Sequence, residues 1–312
     1  MSSSSLEPDY SVLARSPRRW LLATRPAFLT LTLAGAGLGV AAAGPAAIVH
    51  WPLALCALAL AVICHAAVNV INDVADHDNG GDAANQSRLY PFTGGSRFIQ
   101  QKVLTRRQMA ALAGLLFAAA IGCGLALAWR GGPWLLAIGL AGVTLGWGYS
   151  APPLRLNSRG LGEAAVLACV ALLPLGAQTL LAGRPDWHLL WLAAPLGLLA
   201  AALLYINQFP DREADILAGK RHWVARLPLA VAWRGYGLLA ALAYLLLLLG
   251  PSVGGMPASA ALGLLAAPLS VFAALSLRRH AAEPSCLRPA IVATIAAVNL
   301  LPCLLIAALL VG

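Results

Sequence analysis

The chain has 312 residues, of which 60% are hydrophobic and only 11% charged, with a mean hydropathy of +0.78 and a net charge of +9. This composition excludes an ordinary soluble domain and indicates an all-α polytopic membrane protein. The excess of basic residues follows membrane topology, as shown below, so no nucleic-acid partner is expected.

Residues 1–19 are polar and begin Ser-rich, and are expected to form a disordered cytoplasmic amino terminus ahead of one transmembrane domain over residues 20–312. No small-residue cleavage pattern follows the run from Trp20 to Ala43, so a retained first helix is expected and not a removed signal peptide. Apolar segments of spanning length, roughly 17 to 25 residues each, fall at Pro26 to Ala43, Trp51 to Asn72, Gln108 to Trp129 and Pro133 to Ser150. Others follow at Gly162 to Ala182, His188 to Pro210, Leu229 to Gly250, Pro257 to Leu277 and Pro289 to Val311. The expectation is nine helices, with the short fourth tilted or only just spanning.

Loop charge supports this count independently. The amino-terminal segment and the loops after helices two, four, six and eight carry eighteen of the twenty-one Lys and Arg. The positive-inside rule then puts the amino terminus on the cytoplasmic side of a bacterial inner membrane and the carboxyl terminus outside. The six cysteines show no CxxC spacing and are read as small packing residues. Trp20, Trp51, Trp129 and Trp187 fall near helix ends, as interfacial anchors do.

Seven of the twelve Asp and Glu lie at or just beyond two clusters, 69–76 and 207–215. An ionised group near lipid costs about 3 kcal/mol on insertion scales, so such clusters need an occupation. If the second helix continues through the first cluster, Asn69, Asn72, Asp73 and Asp76 share one face at spacings of three and four. Asn207, Asp211 and Asp215, each four apart, repeat the arrangement at the end of helix six. Hard oxygen donors of this kind suit Mg²⁺ shared with a diphosphate. The loops that follow supply anion-binding chemistry in Arg88, Thr93-Gly94-Gly95-Ser96-Arg97 and Gly219-Lys220-Arg221. The connection from Asp73 to Arg107 is long for a helical bundle, as a lid or binding segment would be.

In these residues the chain resembles the UbiA superfamily of intramembrane aromatic prenyltransferases. The likeness runs through Asn69-x-x-Asn72-Asp73-x-x-Asp76, Gly80-x-Asp82, Gly94-Gly95-Ser96-Arg97, Tyr149-Ser-Ala-Pro-Pro-Leu-Arg155, Gly160-Leu-Gly162-Glu163 and Asn207-x-x-x-Asp211-x-x-x-Asp215-x-x-x-Gly219-Lys220-Arg221. Gly80-x-Asp82 and the Gly94–Arg97 stretch look like the MenA-type branch, which prenylates 1,4-dihydroxy-2-naphthoate in menaquinone synthesis. Pro210 in the second motif departs from the best-known members and bears on the direction of Asn207.

The resemblance implies nine helices around a central cavity and a Mg²⁺-dependent transfer from an allylic polyprenyl diphosphate to an aromatic acceptor. Asp73, Asp76, Asp211 and Asp215 would be the catalytic metal ligands, with Asp82 a weaker one. Arg88, Arg97, Arg155, Lys220 and Arg221 would contact the diphosphate, Asn69, Asn72 and Asn207 would hydrogen-bond ligand or metal-bound water, and Tyr149 would reach the same group. No separate organic cofactor is implied; the partners are the polyprenyl diphosphate, the acceptor and the lipid bilayer. Outside these roles, His65 is read as a packed histidine before an acceptor-pocket one, His77 and His222 as solvated, Glu163 as structural before shaping the cavity mouth, and Arg25 as snorkelling to headgroups before meeting the acceptor carboxylate. The alternatives are the same reaction on 4-hydroxybenzoate or another acceptor and, remotely, a secondary transporter, which would place its acids near the bilayer midplane.

Overall fold

The computed structural model describes residues 7–311, so the first six residues of the expected amino-terminal segment lie outside the described residues. From Glu7 onward that segment is structured, with short helices at Tyr10–Leu13 and Arg18–Leu22. Asp9 caps the first by accepting from the Ser11 N–H at 2.8 Å, the usual remedy for unpaired amides at a helix start.

Among the described residues nine helices build the bundle, and no strand is present. In chain order they are Pro26–Ala42, Trp51–Asp78, Arg106–Trp129, residues 133–150, Gly162–Ala182, Leu190–Leu217, Leu229–Val253, Ala258–His280 and Arg288–Val311. Proline stands in the first two positions of the first and second helices, where its missing N–H costs nothing. The third opens on a capping box: Thr105 accepts from the Gln108 N–H, and the Gln108 side chain accepts from the Thr105 N–H. The third and fourth are parted by one non-helical residue, Gly132 at φ 77°. Pro133 follows it and cannot supply the N–H that would continue the ladder.

The second and sixth helices run past their expected ends at Asn72 and Pro210, to Asp78 and Leu217. Hydropathy falls there because Asp and Asn enter the sequence, but Asp73, Asp76, Asp211 and Asp215 turn inward to partners, Asp78 and Glu213 stay outside, and the backbone remains helical. Pro210 sits inside the sixth helix, buried.

The sixth helix is the most buried span and is flanked by the fifth, seventh and ninth. Interhelical hydrogen bonds brace this half of the bundle. Tyr205 donates to the Ala232 carbonyl at 2.8 Å, Tyr236 meets Thr294 at 2.9 Å, and Tyr244 meets Ser270 at 2.8 Å. Such bonds are worth on the order of 0.6 kcal/mol each within membranes. The first and fifth helices cross at Gly39, where a Cβ would lie 2.1 Å from the Pro174 carbonyl oxygen. Trp51, Trp129 and Trp187 are exposed, whereas Trp20 packs against the cluster around Val70 and Phe98. All six cysteines are free, and Cys56, Cys123, Cys286 and Cys303 are exposed instead of packed inside the bundle.

Candidate functional site

Asp73 and Asp76 project from the second helix and Asp211 and Asp215 from the sixth, toward the connection between the second and third helices. That connection folds back over them. Gly81–Ala84 forms a short helical turn carrying a buried Asp82. Gly94 and Gly95 follow, both left-handed, at φ 78° and 72°. A Cβ on Gly95 would lie 2.7 Å from Asp82 Oδ2 and 3.1 Å from Asp73 Oδ1. Only a residue without a side chain lets this backbone pass between the two carboxylates. The loop then supplies backbone donors: the Ser96 N–H reaches Asp73 at 3.2 and 3.3 Å, and the Gly94 N–H reaches Asp211 at 3.3 Å.

Lys220 joins the two acidic helices. Its Nζ lies 2.8 Å from Asp76 Oδ1 and 2.8 Å from Asp215 Oδ1, in a side chain only 7% exposed. Burial alone would lower the Lys220 pKa, but the Asp76 and Asp215 carboxylates outweigh it and hold the ammonium well above its ordinary value. Asp82 moves the other way for an acid: burial first, then the negative charges of Asp76 and Asp73, push its carboxyl well above the usual carboxylate range.

Two cavities meet at this end of the bundle. The smaller, of about 110 Å³, is polar and is lined by Asp76, Asp82, Asp211, Asp215, Lys220 and the Thr93–Gly95 backbone among others. The larger, of about 540 Å³, is apolar and runs among the first six helices, with Ile295 and Asn299 of the ninth. Arg25, Asn72, Phe92, Tyr149, Leu204 and Asn207 line both and so form the waist between them. Asn72 is held there by donating to Asp76 at 3.2 Å and to Ser150 at 2.9 Å.

The residues singled out from the sequence are thus distributed unevenly. The five carboxylates, Asn72, Asn207, Tyr149 and Lys220 converge on the polar cavity or its wall. Asn69 lines the apolar cavity and donates to the Thr24 carbonyl at 2.9 Å. The other four basic residues do not line the cavity. Arg88 is paired with Glu7 at 2.7 Å, and Arg97 is buried with its guanidinium on the Asp82 carbonyl. Arg155 and Arg221 are exposed on connections beyond it.

Other residues take roles the sequence left unassigned. His222, expected to be solvated, is fully buried and lies 3.0 Å from Asp215, because the turn after Lys220 carries it back onto the sixth helix. Arg25, expected at the headgroups, is turned inward to the waist from a left-handed position, φ 58°, with its guanidinium 4.6 Å from the Phe28 ring centroid. Asn85 is buried and donates to Asp211 at 2.5 Å. Its only sequence signal was its place in the long connection. Glu163 accepts from Gln208 at 2.9 Å, a buried pair that links the fifth and sixth helices. His65 lines the apolar cavity with Nδ1 2.6 Å from Thr32 Oγ1, both packed and pocket-facing.

This donor set fits a divalent cation of the magnesium kind. Four carboxylates line one small space, with Asp73 behind Gly95, and burial followed by the charges of Asp76 and Asp73 holds the Asp82 carboxyl well above its ordinary range even with Arg25 and Lys220 on the same wall. The Oδ1 atoms of Asn85 and Asn207 are buried without a protein partner, as groups awaiting a donor or a cation would be.

Comparison with known proteins adds an independent line. The profile of the UbiA prenyltransferase family matches residues 28–310. A 1,4-dihydroxy-2-naphthoate octaprenyltransferase of Mycobacterium tuberculosis is 33% identical over 268 residues, 83% of this chain and 86% of that protein. A 2-carboxy-1,4-naphthoquinone phytyltransferase of Synechocystis is 29% identical over 72% of this chain and 70% of its own length. Among solved structures, a UbiA homologue from Aeropyrum pernix superposes with a TM-score of 0.65 at 17% identity, covering 92% of this chain and 98% of that one. One from Archaeoglobus fulgidus, bound to DMAPP and Mg²⁺, gives 0.57 at 13% identity, covering 94% and 98%.

Proposed function

The chain belongs to the UbiA prenyltransferase family, and from that premise we propose that it transfers a polyprenyl group from an allylic polyprenyl diphosphate to 1,4-dihydroxy-2-naphthoate, with Mg²⁺, in menaquinone synthesis. The observation that carries this reading is the pair of joined cavities, one small and acidic, the other large and apolar, meeting at a polar waist. Such a shape suits a substrate with a charged head and an isoprenoid tail, the bond between them lying at the waist.

Mg²⁺ held by Asp73, Asp76, Asp82, Asp211 and Asp215 would neutralise the charge that builds on the diphosphate as the allylic C–O bond breaks. Lys220 fixes the two acidic helix ends against one another and adds an ammonium to the same wall. Asn72, Asn207 and Tyr149 orient the head at the waist, where an unpaired Asn207 oxygen is available to accept a hydrogen bond. The apolar walls keep water from the allylic cation, which would otherwise be quenched to the alcohol. The acceptor ring carbon then bonds to the allylic carbon, and the ring is restored when its carboxylate leaves as CO2, the C–C bond electrons returning to the ring. Arg25 has a buried Nε without a partner and stands at the waist, suited to that carboxylate.

The loop-charge asymmetry supports a cytoplasmic amino terminus and polar cavity, in a bacterial plasma membrane. The test is transfer from a radiolabelled polyprenyl diphosphate, with and without Mg²⁺, offering 1,4-dihydroxy-2-naphthoate and 4-hydroxybenzoate separately. Mg²⁺-dependent product from the naphthoate alone is expected. Product from the benzoate alone would replace the acceptor, and ion or solute flux without transfer would overturn the assignment.

A further inference from the structure

The connection between the eighth and ninth helices lies at the same end of the bundle as the acidic cavity, since Arg288 at its far end stacks on Phe92 of the waist at 5.7 Å. Two successive tight turns shape it. The Glu283 N–H donates to the His280 carbonyl at 2.9 Å, and the Cys286 N–H donates to the Glu283 carbonyl at 3.0 Å. Their effect is to bring three side chains of different chemistry to one point. His280 Nδ1 lies 3.5 Å from Glu283 Oε2, and the Cys286 thiol donates to that same oxygen with Sγ at 3.5 Å. All three ligating atoms are within 4.8 Å of one another.

We propose that His280, Glu283 and Cys286 form a second metal site, of the zinc class, outside the carboxylate cluster and independent of the prenyl-transfer reading. Three observations carry it. The first is spacing: ligands about 2.0–2.3 Å from a tetrahedral zinc stand roughly 3.3–3.7 Å apart, and two of the three edges already measure 3.5 Å. The second is an unanswered valence, since His280 Nδ1 is shielded from solvent and makes no hydrogen bond. Its approach to Glu283 is too long for one, yet is a normal separation for two atoms sharing a cation. The third is donor type. Imidazole, thiolate and carboxylate together select zinc and its neighbours, whereas Mg²⁺ would take the all-oxygen cluster at the cavity.

Arg278, Arg279 and Arg288 flank the turn in the sequence. They do not crowd the position from every side, because the Arg278 guanidinium rests 5.4 Å from the Trp233 ring and Arg288 lies over Phe92. With three protein ligands and Glu283 and Cys286 both exposed, a fourth position stays open to water or to an external ligand. A metal held here would clip the end of the eighth helix to the start of the ninth, two residues before Arg288.

Cobalt substitution tests this in the full chain. Co²⁺ added in the presence of excess Mg²⁺ is expected to give a thiolate-to-cobalt charge-transfer band together with intense tetrahedral d–d absorption, and Zn²⁺ should erase both. Cys286→Ser should lose the charge-transfer band, His280→Gln should lose the tetrahedral pattern, and Cys303→Ser should retain both. Cys286 is exposed in the connection, His280 ends the eighth helix and Cys303 is exposed on the ninth, and unchanged prenyl transfer with saturating substrates would verify that each variant folds. Absence of the band in the wild type, or its persistence in Cys286→Ser, overturns the proposal, whatever the outcome of the transfer assay.

Discussion

Asn85 and Asp211 are 126 residues apart in the chain, yet the Asn85 amide donates to the Asp211 carboxylate at 2.5 Å and so ties the connection after the second helix to the sixth helix. Removing the amide leaves a buried carboxylate short of a donor. Losing one partner of such a pair costs about 1–3 kcal/mol. Asn85→Ala is therefore expected to weaken Mg²⁺-dependent transfer at least tenfold, and Asn85→Asp more, by placing two carboxylates in contact. Transfer rates against Mg²⁺ concentration check this; wild-type dependence in both variants would remove Asn85 from the site.

Asp73→Ala and Asp211→Ala should each abolish transfer while the protein remains inserted in the membrane. Asp186 is the matched control, since it caps the turn before the sixth helix at the other end of the bundle by accepting from the His188 N–H at 3.0 Å. Its loss should cost no more than about 1 kcal/mol of stability and leave the rate unchanged. Full activity in both motif variants would sink the metal-diphosphate assignment.

Lys220→Met leaves Asp76 and Asp215 facing one another without the ammonium between them. Breaking a buried pair by deleting one member costs about 3–5 kcal/mol. The metal-free protein should melt at a clearly lower temperature in detergent, and Mg²⁺ should restore more stability to the variant than it adds to the wild type. Equal melting temperatures without metal would show that the lysine is not needed to hold the two helix ends together.

Asp82 gives a pH dependence with a definite sign. Its carboxyl is raised in the folded protein, so folding favours the protonated form. The corresponding stability is fully present below the ordinary aspartate value of about 3.9 and is lost as pH climbs through the elevated one. Above that, the metal-free protein carries an unwanted charge. Mg²⁺ affinity should consequently rise with pH, and Asp82→Asn should flatten that rise while raising the metal-free melting temperature at neutral pH. Calorimetric titration of Mg²⁺ at several pH values decides it.

Gly37 and Gly39 are two residues apart on the first helix but sit in different surroundings. A Cβ at Gly39 would meet the Pro174 carbonyl at 2.1 Å, whereas at Gly37 the nearest atom is the end of Ile306, at 3.7 Å. Gly39→Ala should lower thermal stability markedly, and Gly37→Ala should leave it unchanged or raise it slightly through helix propensity.

Most of this architecture is legible in the sequence because the bilayer imposes long apolar runs, and Lys and Arg mark alternate loops. The two acidic motifs are legible because nothing else explains carboxylates beside lipid. What could not be read was where loop side chains go. Arg88, Arg97 and Lys220 look equivalent as basic residues after acidic motifs, but only Lys220 reaches the cavity wall, while Arg88 is taken by Glu7 from a distant segment. Asn85 is passed over and His222 is read as solvated for the same reason, since their partners Asp211 and Asp215 are chosen by the path of the backbone and not by any local pattern. The run-on of the second and sixth helices was hidden because hydropathy registers composition, and an inward-facing polar turn has the composition of a helix end.

The waist that separates the two cavities has a further effect once the bond across it is cut. Before reaction one molecule straddles both environments, held at each end by a different solvation preference. Afterwards the fragments no longer share a skeleton, and each is left in the medium it already favours. In the proposed reaction the inorganic fragment is left among the charged walls of the small cavity, and the prenylated ring among the apolar walls of the large one. Turnover thus sets up its own separation, with no need for a single opening through which both products must pass.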